Sequence, residues 1–202
     1  MYSTRPGLIL GFHGCDESVV MKVLTGEEPL KRSTNKYDWL GHGGYFWENS
    51  PSRAMEFAIH LHKHPNRSKG NIVKPAVIGA VIDLGYCLDL LDFDNLQMLK
   101  STYELMQLSK FVDFPENKVI GGIDDLLLRE LDCAFIETLH RLKEKSLQPP
   151  FDSVRGVFYE GKELYPNAGF REKDHIQICI RNPNCIKGFF LPRKLDGDYP
   201  KV

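Results

Sequence analysis

Residues 41–58 read GHGGYFWENSPSRAMEFA, and this stretch predicts a strand followed directly by a helix. Glycines lead into the aromatic segment 45–47, a composition typical of strands. Ser50 and Pro51 then supply an N-cap and a first helical residue. Beyond them, apolar side chains recur at helical spacing at Ala54, Phe57, Ala58 and Leu61. An aromatic ring left open here would suit stacking on a planar ligand, while a plain core strand explains the same residues.

The bulk composition is that of an ordinary folded domain. Of the 202 residues, 42% are hydrophobic and 26% charged, with a formal net charge of −1, so we expect one domain over residues 1–202 with no general attraction to nucleic acid or anionic membranes. The sequence carries no secretory leader pattern and no apolar run that could span a bilayer. The five cysteines have no close pairing motif. These features predict a cytoplasmic protein with reduced thiols and no membrane partner. No metal site is predicted, because no cysteine or carboxylate near the alternating His60, His62 and His64 completes a ligand set.

Hydrophobic patterning predicts strands towards both ends of the chain and a helical insertion between them. Helices are expected at residues 17–24, after an Asp16 N-cap, and from residue 51 onwards. Residues 92–146 are predicted to be helical, with a break at 115–122. The expected strands lie at 8–12, 45–47, 77–84, 154–159, 176–180 and 186–191. Because strands and helices are segregated rather than alternating, the predicted fold class is α+β.

Two further segments carry residues suited to ligand chemistry. His13 and Gly14 follow the first strand; a neutral imidazole can bond a ribose hydroxyl, and glycine lets a ligand approach the backbone. A structural histidine at a strand end is the alternative. In the late strand, alternation places His175, Gln177 and Cys179 on one face. A buried Gln177 there would need a polar partner, whereas an edge strand would leave it in water.

The three segments, taken in order, resemble the ADP-ribosyltransferase superfamily in its diphtheria-toxin and poly(ADP-ribose) polymerase-like branch. That branch carries a His-Tyr-Glu signature on three strands, matched here by His13, Tyr45 and, in place of the glutamate, Gln177. The resemblance covers roughly the first 60 residues and the last 50. It implies an α+β domain with a split mixed β-sheet core and a helical insertion at about 92–146.

The resemblance also implies a cleft that binds NAD as co-substrate. By that analogy His13 would bond the adenosine ribose and the Gly14 backbone would pair with the carboxamide. Tyr45 and Phe57 would sandwich the nicotinamide ring. Arg32 and Asn35 lie between the first two motifs, where they would meet the diphosphate and a ribose.

Gln177 departs from the family signature at the position of the catalytic glutamate. A glutamine can hold the ribose 2′-hydroxyl, but it cannot act as a general base or oppose developing positive charge with a full negative one. Glu172 is the first candidate for the missing carboxylate, with Asp174 and Glu48 as weaker ones. The alternatives are that each is a solvated surface carboxylate, that the acceptor needs no base, or that a substrate group assists.

The predicted function is therefore mono-ADP-ribosyl transfer from NAD to a protein or nucleic-acid acceptor. The compact size is compatible with a toxin or defence effector held in check by an antitoxin-like partner. An NAD glycohydrolase and a catalytically inactive nucleotide-binding or interaction module remain as alternatives. The residues of the RNA 2′-phosphotransferase branch are not found.

Overall fold

The computed structural model describes residues 7–67, 70–109, 113–119 and 128–200. Within these residues the chain forms four α-helices: α1 (Glu17–Thr25), α2 (Pro51–Lys63), α3 (Phe93–Ser109) and α4 (Glu130–Lys145). It also forms seven strands: β1 (Ile9–Asp16), β2 (Gly44–Glu48), β3 (Pro75–Ile82), β4 (Cys87–Asp89), β5 (Ser153–Phe158), β6 (His175–Ile180) and β7 (Ile186–Phe190).

All seven strands belong to one sheet with the order β4-β5-β6-β2-β1-β3-β7. The β4–β5 pair is parallel and the other five pairs are antiparallel. The predicted α+β class with a mixed sheet is therefore confirmed. The three-residue strand β4 was not predicted, because so short a segment carries no readable alternation.

The sheet is weakly joined at its centre. β1 pairs with β3 over eight residues, but it pairs with β2 only at Gly11–Glu48 and Phe12–Trp47. Beyond these two positions β1 and β2 no longer form a ladder. The sheet thus consists of a β1-β3-β7 part and a β2-β6-β5-β4 part that meet over two residue pairs.

Helices cover both faces of the sheet. We call the face that carries Phe12, Trp47 and Gln177 the α2 face, because α2 packs there through Ala54. α4 packs on the same face further along, with Ile136 contacting the cluster around Val154, Phe158 and Cys179. α1 packs on the opposite face, the α1 face, through Val20 and Val23 against Cys15 and Ile78.

The ends of the first two helices follow their sequence signals only in part. Asp16 caps α1 by accepting from the Ser18 backbone N–H, and Gly26 ends it in the left-handed region at φ 77°. Pro51 starts α2 as predicted, but the Ser50 side chain makes no capping hydrogen bond. β1 does not stop at residue 12 as predicted, since its pairing with β3 carries it to Asp16.

The predicted helical insertion holds α3 and α4, with non-helical chain between them at 113–119. A single bridge pairs Lys118 with Leu128, while residues 120–127, including the end of the predicted break, lie outside the described residues. Among the helices that the structure describes, none has both the length and the apolar character needed to cross a membrane.

Gly14 is required where α2 crosses β1, and its replacement tests this packing. A Cβ atom on Gly14 would lie 2.0 Å from the Ala54 carbonyl oxygen, so Gly14→Ala must push α2 away from the sheet. We expect a loss of roughly 3 kcal/mol in the free energy of unfolding, measured by denaturant titration.

Gly188→Ala in β7 is the matched control, because a Cβ atom added to Gly188 would have nothing within 4 Å of it. That variant should be neutral or slightly stabilising. Equal stability of the two variants would contradict the close approach of α2 to β1.

Candidate functional site

Gln177 lies at the centre of the sheet and not at an edge. β6 is flanked by β2 and β5, and Gln177 is directly opposite Trp47 on one side and Gly156 on the other. The side chain is half-buried on the α2 face, between the regions covered by α2 and α4. Its amide has no hydrogen-bond partner among the residues that the structure describes. The edge-strand alternative is therefore wrong, because Gln177 lies on an interior strand with its side chain half-buried.

The structure brings His13 to the backbone carbonyl of Tyr45, while the Tyr45 hydroxyl bonds the loop before β2. The Tyr45 hydroxyl donates to the Gly41 carbonyl at 2.7 Å and accepts from the Leu40 N–H at 2.9 Å. Burial raises the pKa of Tyr45 well above its usual value. His13 Nδ1 donates to the Tyr45 carbonyl at 2.8 Å, and burial lowers the pKa of this imidazole. Tyr45 thus anchors the loop before β2, and His13 links the two parts of the sheet where their ladder ends.

His13 and Gln177 leave the sheet on opposite faces. His13 alternates with Gly14 and shares the α1 face with Cys15, 6.0 Å from the Phe46 ring between ring centroids. Gly14 is on the α2 face, where the Ala54 carbonyl covers it. The structure therefore does not present the Gly14 position as open to a ligand.

The aromatic neighbour of Phe57 is Trp47. Their ring centroids are 5.0 Å apart, and both belong to the cluster beneath α2. Tyr45 packs instead against the cluster beneath α4, with Leu40 and Ile136. The structure brings Phe57 to the site but pairs it with a different ring from the one implied by the family resemblance.

Asn35 is part of a closed turn, and Arg32 lies beside it on the surface. The Asn35 side chain donates to Ser33 Oγ at 2.9 Å, and its backbone N–H donates to Asp38 at 2.8 Å. Asp38 is buried, and that burial raises the pKa of its carboxyl group despite these hydrogen bonds. Arg32 is exposed. A single β-bridge between Ser33 and Gly43 joins this turn to the residue that directly precedes β2.

Among the residues that the structure describes, none of the three candidate carboxylates is hydrogen-bonded to the Gln177 amide. Glu172 is exposed in the loop before β6. Asp174 accepts from the backbone N–H groups of Glu160 and Arg171, so it holds that loop together. Glu48 lies on the α1 face, where it pairs with Arg155.

Arg155 of β5 is a buried cation whose side chain lies along the α1 face and contacts residues of two other strands. Its side chain is 2% exposed and lies between Glu48 of β2 and Asp89 of β4. The guanidinium bonds both Glu48 oxygens, and it contacts both Asp89 oxygens at 3.1 and 3.2 Å. This arrangement gives Glu48 a structural role that its position in the sequence does not reveal.

A polar and aromatic cluster beside Gln177 was missed by sequence reasoning. Arg53 of α2 reaches Glu160, after β5, with 2.7 Å between Nη2 and Oε2. His175, on the same strand and face as Gln177, has Nδ1 3.9 Å from the same carboxylate. Arg53 also lies over Trp47, 5.6 Å from the ring centroid. The fold thus brings the Glu160 carboxylate to this end of β6, where it contacts both Arg53 and His175.

One signal for Arg53 was present in the sequence. Arg53 precedes Phe57 by four residues and Leu61 by eight, so it lies on the apolar side of α2. A charged residue at such a position needs a partner when it is buried. The partner, Glu160, is 107 residues away in the chain, and only the folded sheet brings the two together.

The buried Arg155 pairs predict a difference in stability between variants of Glu48 and Glu172, the weaker and the first candidate for the missing carboxylate. Glu48→Gln removes the negative charge beside a guanidinium that is almost completely buried. We expect a loss of roughly 3 kcal/mol in the free energy of unfolding, measured by denaturant titration.

Glu172→Gln is the control, because its carboxylate is exposed. It should change stability by no more than about 0.5 kcal/mol. A Glu48→Gln variant as stable as the Glu172→Gln variant would show that Asp89 alone balances Arg155.

The chain matches no protein-family model, and no curated protein or solved structure matches it either.

Proposed function

We propose that this chain is an NAD-dependent ADP-ribosyltransferase whose site lies on the α2 face around Gln177. One observation carries the proposal: the three separated segments that resemble the family signature form adjacent strands, in the order β6-β2-β1. They contribute Gln177, Tyr45 and His13. The three segments are far apart in the chain and need not have formed neighbouring strands. Their adjacency therefore supports the resemblance to the family signature.

The half-buried Gln177 amide supplies the polar contact for the ribose. Its carbonyl oxygen can accept from the 2′-hydroxyl, and no competing contact within the described residues occupies it. Phe57 and Trp47 supply aromatic surface close by, with ring centroids 5.0 Å apart. His13 acts on this site indirectly, by bonding the Tyr45 carbonyl at the junction of β1 and β2.

The proposed reaction breaks the bond between the anomeric carbon of the ribose and the nicotinamide nitrogen. Nicotinamide leaves with the bonding electron pair, and an acceptor nucleophile donates the pair for the new bond and loses its proton. The transition state carries positive charge on the ribose, which a nearby carboxylate stabilises. Gln177 cannot provide that charge, whereas the Glu160 carboxylate is paired with Arg53 at the same end of β6.

The acceptor is proposed to be a protein or a nucleic acid. Purified protein incubated with NAD alone and then with cell lysate separates the main outcomes, with nicotinamide and ADP-ribose followed by mass spectrometry. Nicotinamide release that depends on lysate, with ADP-ribose on a macromolecule, supports the transferase. Release with NAD alone would indicate a glycohydrolase. Binding without release would indicate a module that retains the fold and lacks the chemistry.

Gln177→Ala tests the proposed ribose contact. The variant removes the amide from the α2 face, and we expect nicotinamide release to fall by about 100-fold. The control is Gln148→Ala, since Gln148 is exposed in the loop before β5 and should leave the rate unchanged. Wild-type turnover by a folded Gln177→Ala protein, with folding checked by thermal melting, would exclude Gln177 from the site.

A further inference from the structure

Three buried polar atoms beside Gln177 have no hydrogen-bond partner in the described structure. They are Trp47 Nε1, Arg53 Nε and His175 Nε2. Buried polar groups are almost always paired, because leaving one unpaired costs free energy. Three such atoms on neighbouring side chains therefore point to a site for a ligand group that pairs with them.

The three side chains form one cluster. The Trp47 and His175 ring centroids are 6.2 Å apart, and the Arg53 guanidinium carbon lies 5.6 Å from the Trp47 ring centroid. Phe57 flanks Trp47 at 5.0 Å and Phe158 flanks His175 at 5.6 Å, both between ring centroids. The unpaired atoms therefore sit among aromatic rings, an environment suited to a planar group.

The protonation of each atom follows from its other contacts. His175 Nδ1 lies 2.6 Å from the Lys173 carbonyl, which can only accept, so Nδ1 carries the proton and Nε2 is a bare acceptor. Burial lowers the pKa of His175, which favours this neutral form. The two terminal nitrogens of Arg53 bond Glu56 and Glu160, leaving its Nε–H unused. Trp47 Nε1–H is a donor only.

We propose that Trp47, Arg53 and His175 form a binding site for a primary carboxamide. The carboxamide oxygen accepts from Trp47 Nε1–H and Arg53 Nε–H, and its NH₂ group donates to His175 Nε2. The inference rests on the proposed function, because nicotinamide is the carboxamide that NAD carries. It places the carboxamide on side chains of β2, α2 and β6 and not on the Gly14 backbone, which Ala54 covers.

The mixed donor and acceptor set selects against other small groups. A carboxylate has no proton for His175 Nε2, so its second oxygen would face a lone pair. A phosphate dianion meets the same lone pair and also the nearby Glu160 carboxylate, whose oxygen is 3.9 Å from His175 Nδ1. A primary carboxamide satisfies all three protein atoms at once.

The site is closed to solvent in this state of the protein. The Arg53–Glu160 pair joins α2 to the segment after β5, and Lys173 pairs with Glu56 at 2.9 Å along the same boundary. His175 also lines a cavity of about 470 Å³ at the end of the sheet, together with Asn49, Ser50 and Asp174 and with three residues at strand positions of the α1 face, Glu48, Val157 and Ile176. Because Trp47 Nε1, Arg53 Nε and His175 Nε2 are all buried, entry of a ligand requires α2 and the loops around β6 to separate, and the bound carboxamide then supplies the missing hydrogen bonds.

Calorimetric titration of the wild-type protein with nicotinamide and with nicotinic acid tests the proposal. These probes share the ring and differ in the group that meets His175. We expect nicotinamide to bind at least about tenfold more tightly than nicotinic acid at neutral pH. Equal affinities, or no binding of nicotinamide at millimolar concentration, would overturn the proposal without any variant having to fold.

Two variants extend the test. His175→Phe removes the acceptor and should abolish the preference for nicotinamide, while Trp47→Phe keeps an aromatic ring, removes one donor and should weaken nicotinamide binding about tenfold. His140→Phe is the matched control, because His140 of α4 is also buried with an unpaired Nε2 but belongs to another part of the core. A preference retained by His175→Phe, or lost equally in His140→Phe, would contradict the site.

The NAD assay separates failure of this inference from failure of the proposed function. NAD consumption together with equal binding of the two probes overturns the carboxamide site and leaves the transferase proposal standing. Absence of NAD consumption together with nicotinamide binding that depends on His175 rejects the transferase and supports the carboxamide site.

Discussion

The short junction between β1 and β2 is the constraint on which the rest of the structure depends. Among the residues that the structure describes, the two parts of the sheet pair in backbone register only at Gly11–Glu48 and Phe12–Trp47. The junction is also tightly packed, since a Cβ on Gly11 would lie 2.6 Å from an Ile82 carbon and 2.9 Å from Phe46 Cβ. The bond from His13 to the Tyr45 carbonyl reinforces it where the ladder stops. Moving this junction would shift every strand of one part relative to the other.

The junction between β1 and β2 fixes the position of the candidate site. Trp47 pairs with Phe12 on one side and with Gln177 on the other, so one residue of β2 connects the junction to the site. α2 begins shortly after Trp47 and folds back over it, bringing Arg53 and Phe57 to the same place. The aromatic and polar groups around Gln177 are therefore consequences of how β2 leads into α2.

Each face of the sheet carries one arginine that is paired with two carboxylates, and the two arginines differ in how completely they are paired. Arg155 on the α1 face is nearly completely enclosed by Glu48 and Asp89, and it ties together strands that are not neighbours. Arg53 on the α2 face is paired with Glu56 and Glu160 but retains a buried, unused Nε–H. Every guanidinium nitrogen of Arg155 has a hydrogen-bond partner, whereas Arg53 Nε has none. This difference distinguishes a structural ion pair from a candidate binding site.

The sequence by itself determined the α+β class, six of the seven strands, the capped α1 helix and the β2–α2 unit, because hydrophobic periodicity, helix caps and Pro51 are local signals. It also singled out Gln177, since a polar residue alternating into an apolar strand is visible without a structure. Only the tertiary structure decided that Glu48 balances a buried arginine, that Trp47 is the ring beside Phe57, and that Ala54 covers Gly14. Each of these contacts except the Trp47–Phe57 pair joins residues far apart in the chain, and even that pair depends on how α2 folds back over β2. Such contacts follow from strand order and helix packing, which local patterns do not encode.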